Sequence, residues 1–544
     1  MENLRKEKRT MAILAAVFAV LMSVPYLVPC CGFLALLGFV PLLCMDRIAD
    51  SCGIRRLWPW HYSAFVLWNA ATTFWVCNAT VGGGIFAILA NSLQMSLVFG
   101  LFRLSKKAFR GTLPYIFLAV AWIAWERYYL TWAQISWPWL VLGNAFARTP
   151  GLVQWYEYTG SLGGSLWVWA SSLGIFGMMC ALADGRAQAW NAKARIALPA
   201  LLAAVVFGPM AVSAVIWHKY EETSDPLDVA VIQPNIDPYE KFEALSQDSQ
   251  NALLEGQMLE LLKDRDPSEE TPLLLLAPET FTQDVIVNDI AGGRTWRRFD
   301  RDLSAYRGVN LIFGASAREY VMADERPSQT ARQIDEGLWR ESRNSSLIAD
   351  GTGRTQIFHK SKLVVGVEMT PYPAVFRPLD DLLGGLMGRC IGQDEASVLD
   401  VKGGGRTVPV GTPICYESVY GEYCTGYVRK GAQLLAVITN DAWWGDTPGY
   451  RQHLSYASLR AIELRRDIAR CANTGISAFI DQRGRVLEQT GWMERTELEG
   501  AVNLNSSMTF FAREGDITGR ICVMLFCLLG LGMLVRLKTR HGEN

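Results

Sequence analysis

Long apolar runs crowd the first 217 residues and return after about residue 520, while the stretch between carries short apolar runs among most of the acidic residues. A helix needs roughly 20 apolar residues to cross a hydrocarbon core about 30 Å thick. Eight runs meet or approach that length: Met11 to Pro29, Cys31 to Met45, Leu57 to Val76, Val81 to Phe102, Leu113 to Trp132, Leu162 to Ala183, Ile196 to Trp217 and Ile521 to Leu537. The second is short. The fifth contains Glu126 and Arg127, which would pair with each other, face a cavity or lie near an interface.

Basic residues orient these runs. Arg5, Lys6, Lys8 and Arg9 precede the first; Arg47, Arg55 and Arg56 follow the second; Arg103, Lys106, Lys107 and Arg110 follow the fourth; Arg186, Lys193 and Arg195 follow the sixth; and Arg536, Lys538 and Arg540 lie at the end of the last. The intervening loops are nearly free of Lys and Arg, so the positive-inside rule places the N-terminus in the cytoplasm and residues 218 to 519 on the outer side. The first run lacks a clear small-residue cleavage site, and it is expected to be retained.

Between the membrane segments, strand-like runs fall at Leu227 to Gln233, Leu273 to Ala277, Val309 to Ala315, Ser345 to Ile348, Leu434 to Thr439, Gly475 to Ile480 and Gly500 to Leu504. Glu240 to Lys263 and Arg451 to Cys471 have helical spacing. Such alternation predicts an α/β layered fold. The expected organisation is a multi-pass α-helical membrane domain of seven spans over 1–217, an α/β domain over 218–519, and an eighth span with a cytoplasmic tail over 520–544.

Composition agrees: 50% hydrophobic residues and 19 Trp in 544 residues are high for a soluble chain. A net charge of -1 without a basic block gives no reason to expect a nucleic-acid partner. Of the 12 cysteines, only Cys390, Cys415, Cys424 and Cys471 fall in the outer segment, with no CxxC and no His/Cys spacing suited to zinc. Neither a metal nor another cofactor is expected. A disulfide at Cys390 stays open, whereas Cys415 should be free if it is a nucleophile.

Three stretches place reactive groups where core strands should end. Leu273 to Leu276 runs into Ala277-Pro278-Glu279; Gln356 to His359 runs into Lys360; and Val408 to Gly411 leads through Thr412-Pro413-Ile414 to Cys415, before a possible helix from Ser418 to Lys430. A cysteine at a strand-to-helix turn can show its sulfur at the sheet's end, where a helix N-terminus helps hold a thiolate; the alternative is a small buried hydrophobe. Together the groups suit acyl transfer: Glu279 as base, Lys360 as the cation that holds an oxyanion, and Cys415 as nucleophile. A Cys/His pair is the poorer alternative, since of five histidines only His359 and His453 fall well inside the polar segment.

These stretches resemble the Glu-Lys-Cys triad of the nitrilase (carbon-nitrogen hydrolase) superfamily, and the whole chain, membrane runs included, resembles the apolipoprotein N-acyltransferase family. Val231-Ile232-Gln233-Pro234-Asn235-Ile236, Asn440-Asp441-Ala442-Trp443-Trp444-Gly445, Arg460-Ala461-Ile462-Glu463 and Phe510-Phe511-Ala512-Arg513-Glu514-Gly515-Asp516 extend the likeness. The family's Lys-x-x-Leu-Val-Pro-Phe-Gly-Glu motif reads here Lys360-Ser361-Lys362-Leu363-Val364-Val365-Gly366-Val367-Glu368, which keeps the Lys360 to Glu368 spacing and loses the Pro-Phe-Gly.

The resemblance implies an α-β-β-α sandwich in a bacterial inner membrane protein with its catalytic domain on the periplasmic side. It implies a phospholipid acyl donor, phosphatidylethanolamine, an apolipoprotein acceptor, and a thioester on Cys415. Glu368 and Glu417 take support roles, positioning Lys360 or stabilising the intermediate. Asn235, Asn440, Arg460 and Glu463 read as structural. Trp443 and Trp444 line a lipid-facing pocket or belong to the core. The insert Val365 to Ala396, with Phe376, Leu382, Leu383, Leu386 and Met387, reads as a lid or as a loop packed on the sheet. Two rival functions remain: a membrane-anchored amidase or nitrilase, in which water resolves the acyl-enzyme, and a transporter with an outer binding domain, which the scarcity of ionisable residues in the spans disfavours.

Overall fold

The computed structural model describes residues 2–542 apart from 239–240, 242–244 and 383–386, so Leu383 and Leu386 of the expected lid lie outside the described residues. The chain forms two compact units, Met1–Tyr220 with Glu514–Asn544, and Glu221–Arg513.

In the first unit all eight expected segments are helical, but among the described residues six helices are long and apolar enough to span a membrane: Glu7–Leu27, Gly32–Ser51, Val81–Ala108, Tyr156–Ala183, Ala192–Lys219 and Ile517–Thr539. Trp58–Thr73 has 16 residues, about 24 Å at 1.5 Å per residue. Leu113–Thr131 is interrupted by Glu126 and Arg127, which do not pair with each other. Glu126 accepts from the Leu142 backbone N–H at 2.9 Å and from Trp122 Nε1 at 3.2 Å. Arg127 donates to Asp516 Oδ2 at 2.9 Å. Arg127 and one oxygen of Glu126 are thus met inside the unit, as an apolar surround favours, while Glu126 Oε2 is left without a hydrogen bond.

The second unit begins with the strands β1 (Pro226–Gln233), β2 (Leu273–Leu276), β3 (Val309–Met322), β4 (Arg332–Asp335), β5 (Leu338–Ala349) and β6 (Gln356–His359). There follow β7 (Val398–Gly403), β8 (Arg406–Gly411), β9 (Leu434–Thr439), β10 (Ile468–Ala472), β11 (Ala478–Ile480), β12 (Val486–Gln489) and β13 (Thr496–Asn503). One sheet runs β13-β1-β2-β3-β5-β4 with β6 beside β5; the other runs β12-β11-β10-β9-β8-β7. At their centres β1, β2 and β3 are parallel, as are β8, β9 and β10.

Alternation along β1 shows how the layers assemble. Val229 and Val231 join Leu274, Leu276 and Ile312 against Val408, Val410 and Leu435 of the second sheet, forming one apolar core between the sheets. Ala230 and Ile232 face the other way, onto Leu254, Met258 and Leu262 of the Gln247–Leu262 helix and Phe299 of Arg294–Leu303. Helices Gly421–Arg429 and Pro448–Leu464 pack on the second sheet, so the unit is an α-β-β-α sandwich.

One expectation is corrected. Arg451 to Cys471 is not a single helix, because the helix ends at Leu464 and Ile468–Ala472 is the central strand β10. Arg465 turns the chain with φ +48°, and every residue from 468 to 472 is buried, so the short run has no face that periodicity could reveal.

Candidate functional site

Three strand ends deliver the groups. Glu279 lies three residues past β2, Lys360 directly follows β6, and Cys415 opens the five-residue turn Cys415–Val419 after β8. Two non-glycine residues here have left-handed backbones, Thr280 (φ +49°) and Cys415 (φ +50°). Such conformations cost of order 1–3 kcal/mol and persist only where surroundings enforce them. At Glu279 the enforcement is close packing: a Cβ on Gly314 would come within 2.5 Å of Glu279 Cα and of Thr280 N.

Lys360 is the hub. Its backbone N–H donates to Asn344 O at 2.8 Å, and its Nζ lies 3.0 Å from both Glu279 Oε1 and Glu368 Oε1. Asn344 Nδ2 donates to the same two oxygens at 2.7 and 2.6 Å, and Glu368 Oε2 also accepts from the Val364 backbone N–H at 2.7 Å. Despite the missing Pro-Phe-Gly, the loop therefore returns Glu368 to the ammonium. Burial alone would strip the Lys360 proton, but Glu279 and Glu368 outweigh it and hold the amine well above the usual lysine range. The site thus holds a fixed cation.

Glu417 does not touch that ammonium. Its Oε1 accepts from the backbone of Ser361 (2.6 Å) and Lys362 (3.1 Å), and its Oε2 from Ile414 N–H (2.9 Å) and the Tyr427 hydroxyl (3.2 Å). It rivets the turn that carries Cys415 to the loop that carries Lys360. Burial pushes its carboxyl up to about 7 against the pull of those donors.

Cys415 is 9% exposed and unpaired with any other cysteine; Cys390 is also free. Burial first, then the Glu279 charge, raises the Cys415 thiol, and Lys360 only partly offsets them. The sulfur is a thiol at rest and needs a base to become a nucleophile.

The remaining expected residues divide. Trp444 is half-buried against the inter-sheet core, its ring 5.5 Å from that of His453, and Trp443 shares the same Asp441–Trp444 turn. Arg460 and Glu463 form a buried pair at 2.7 Å, and Arg460 Nη1 donates to Val419 O at 2.7 Å, holding the backbone just past Cys415. The insert contains the helix Pro373–Leu382, in which Val375 and Leu382 are 69% and 82% exposed. Its return is pinned by Cys390 N–H donating to Glu368 O at 2.8 Å.

Sequence reasoning missed a buried group behind the thiol. Thr439, Asp441, His453 and Arg470 are fully buried, and Cys415, Asp441 and His453 bring one side-chain heteroatom each within 4.8 Å of one another. Arg470 Nη2 donates to Asp441 Oδ2 at 2.5 Å and lies 3.2 Å from His453 Nδ1, so a guanidinium already supplies the positive charge that a metal would bring. His453 Nε2 lies 3.1 Å from the carbonyl oxygen of Cys415, which is a main-chain contact and not the sulfur contact of a Cys/His pair. Lys241 was missed too: its Nζ is within 3.4 Å of Glu279 O and 3.3 Å of Thr280 Oγ1, and burial pushes it down to about 8. Asp441, inside the quoted Asn440 to Gly445 stretch, and His453, weighed as half of a Cys/His pair, did carry a sequence signal.

Comparison with known proteins adds the lineage. Residues 18–174 match the apolipoprotein N-acyltransferase N-terminal domain family, and residues 271–509 match the carbon-nitrogen hydrolase family. A protein of Chlorobaculum tepidum named apolipoprotein N-acyltransferase is 29% identical over 520 residues, 92% of each chain. One of Geobacter metallireducens with the same name is 26% identical over 98% of this chain and 96% of its own. Among solved structures, Saccharomyces cerevisiae Nit3, of the nitrilase superfamily, is 15% identical over 52% of this chain and 92% of its own, with a TM-score of 0.36.

Proposed function

The chain belongs to the apolipoprotein N-acyltransferase family, and from that premise we propose that it moves an acyl chain from a phospholipid to the N-terminal amine of a lipoprotein through Cys415. One observation carries the site assignment: Lys360 Nζ lies 3.0 Å from Glu279 Oε1, and both charges act on the buried Cys415 thiol. In the first half-reaction Glu279 takes the thiol proton as sulfur attacks the donor's ester carbonyl, and Lys360 holds the oxyanion. Collapse breaks the ester C–O bond, Glu279 returns the proton to the leaving lysophospholipid alcohol, and a thioester remains on Cys415. In the second half the α-amine of a diacylglyceryl-cysteine attacks the thioester, gives a proton to Glu279, and leaves as the amide while sulfur is reprotonated. Phosphatidylethanolamine is the donor and Glu368 the support that keeps Lys360 facing Glu279. The runs of Lys and Arg beside alternate spans support a bacterial inner membrane location with residues 221–513 on the periplasmic side.

Labelled phosphatidylethanolamine tests the reading in the detergent-solubilised protein. Label should appear on Cys415 as a hydroxylamine-sensitive thioester, be absent from Cys415→Ala, and pass to an added diacylated lipopeptide. Release of free fatty acid without transfer would instead indicate a hydrolase.

A further inference from the structure

One helix of the first unit is covered by little of the chain. In the most apolar 18-residue stretch of Ala192–Lys219, 6% of the positions are buried, against 44% for Tyr156–Ala183. Its position is nevertheless fixed. Trp167 Nε1 donates to Val205 O at 3.0 Å, and Gly174 admits Leu202 so closely that a Cβ there would lie 2.8 Å from Leu202 Cδ1. Farther along, Ser213 Oγ accepts from the Gln154 backbone N–H at 2.8 Å and donates to Gly151 O at 2.7 Å. Between this helix, Tyr156–Ala183 and the turn Gly32–Leu37 lies an apolar cavity of about 760 Å³, lined by Leu36, Leu37, Met178, Leu182, Leu202 and Phe207. The lining follows the helix from Arg195 to Met210, about 22 Å at 1.5 Å per residue. One leaflet is half of a hydrocarbon core about 30 Å thick, so the groove can take an acyl chain at full length.

The Arg195 end of the groove is positive. Lys193 and Arg195 fall within the first four residues of the helix, where the helix dipole opposes cations and favours an anion. Arg195 Nε and Nη2 donate to the carbonyl oxygens of Trp190 (3.1 Å) and Gln188 (2.9 Å), which aim the guanidinium without neutralising it. Among the described residues no carboxylate pairs with Arg195, and Asp184, at the end of the preceding helix, is held by Arg47 and by Arg186 at 3.2 Å. We propose that the groove binds an anionic phospholipid, with one acyl chain along the apolar lining and the headgroup phosphate on Arg195. The phosphate oxygens accept from the guanidinium N–H groups that the two carbonyls leave, and Lys193 adds attraction for a headgroup of net negative charge. Trp190, which lines the same end, suits the boundary between acyl chain and headgroup. The site goes beyond the acyl-transfer reading and stands whether or not Cys415 accepts an acyl group.

Native mass spectrometry of the full chain, delipidated in detergent and titrated with phosphatidylglycerol or phosphatidylcholine, counts the lipid that stays bound. Phosphatidylglycerol should bind about fivefold more tightly than phosphatidylcholine. Arg195→Gln should weaken phosphatidylglycerol about fivefold and bring it close to phosphatidylcholine, whereas Arg195→Lys keeps most of the preference. Ala203→Trp, at an exposed position of the lining, fills the groove and should weaken both lipids. Thermal midpoints measured without lipid should match wild type in all three variants, because the helix is covered by so little of the chain. Equal binding of the two lipids by the wild-type chain overturns the proposal, as does wild-type phosphatidylglycerol binding in Arg195→Gln and Ala203→Trp. A lipid-free dimer that Ala203→Trp dissociates also overturns it, since the occupant is then a second copy of the chain.

Discussion

Lys360 is shared by two carboxylates with different surroundings, and substitution should separate them. Glu279→Gln removes the carboxylate proposed as the base and should slow acylation by about 10²- to 10⁴-fold. Glu368→Gln removes one charged hydrogen bond to Lys360 and should cost about tenfold, with both rates read as label on Cys415. His359, next to the hub, has a separate signature. Burial first, and Arg343 second, lower it to about 4, below the ordinary 6.5. Its neutral form is the one the fold accepts, so its contribution is complete above pH 6.5 and drains away as pH falls toward 4. His359→Gln should flatten the drop in thermal midpoint across that window. Glu279 and Lys360 were legible because a charge terminating an apolar run is a local signal. The grouping of Thr439, Asp441, His453 and Arg470 was not, although Asp441 and His453 each stood out singly, because folding alone supplies their proximity.

Elements set how closely those groups approach. β3 passes Glu279 with no room for a side chain at Gly314, where a Cβ would meet three backbone atoms of residues 278 to 280 within 2.7 Å. Gly314→Ala must shift the backbone that aims Glu279; it should cost about 1–3 kcal/mol of stability and lower acylation by more than tenfold. A circular dichroism melt and the label assay together check this. Strands with a continuous apolar run, such as β2 and β9, could be read directly. β10 could not, since it follows an amphipathic helix across three residues and carries Arg470, whose buried partner Asp441 lies on another element. Likewise the helix expected to favour a thiolate starts late: the turn Cys415–Val419 precedes the helix Gly421–Arg429, so the sulfur does not sit in that helix's first turn.

At the scale of the whole chain, composition separated an apolar part from a mixed one, but it did not resolve which apolar runs are full spans. Glu126 and Arg127 explain the difficulty, because hydropathy counts their charge and cannot see Asp516, 389 residues away from Arg127, that meets it. Asp516→Asn removes the carboxylate that meets the buried Arg127 guanidinium, and the solubilised protein should melt at lower temperature, whereas Asp516→Glu should melt closer to wild type. The resting state of Cys415 carries one more implication. It is the ionised form of cysteine that attacks peroxide and disulfides, so a sulfur that keeps its hydrogen until a carboxylate takes it has little appetite for oxidants. Cys415 should therefore react with peroxide more slowly than an exposed cysteine, as mass spectrometry of the peroxide-treated protein would read.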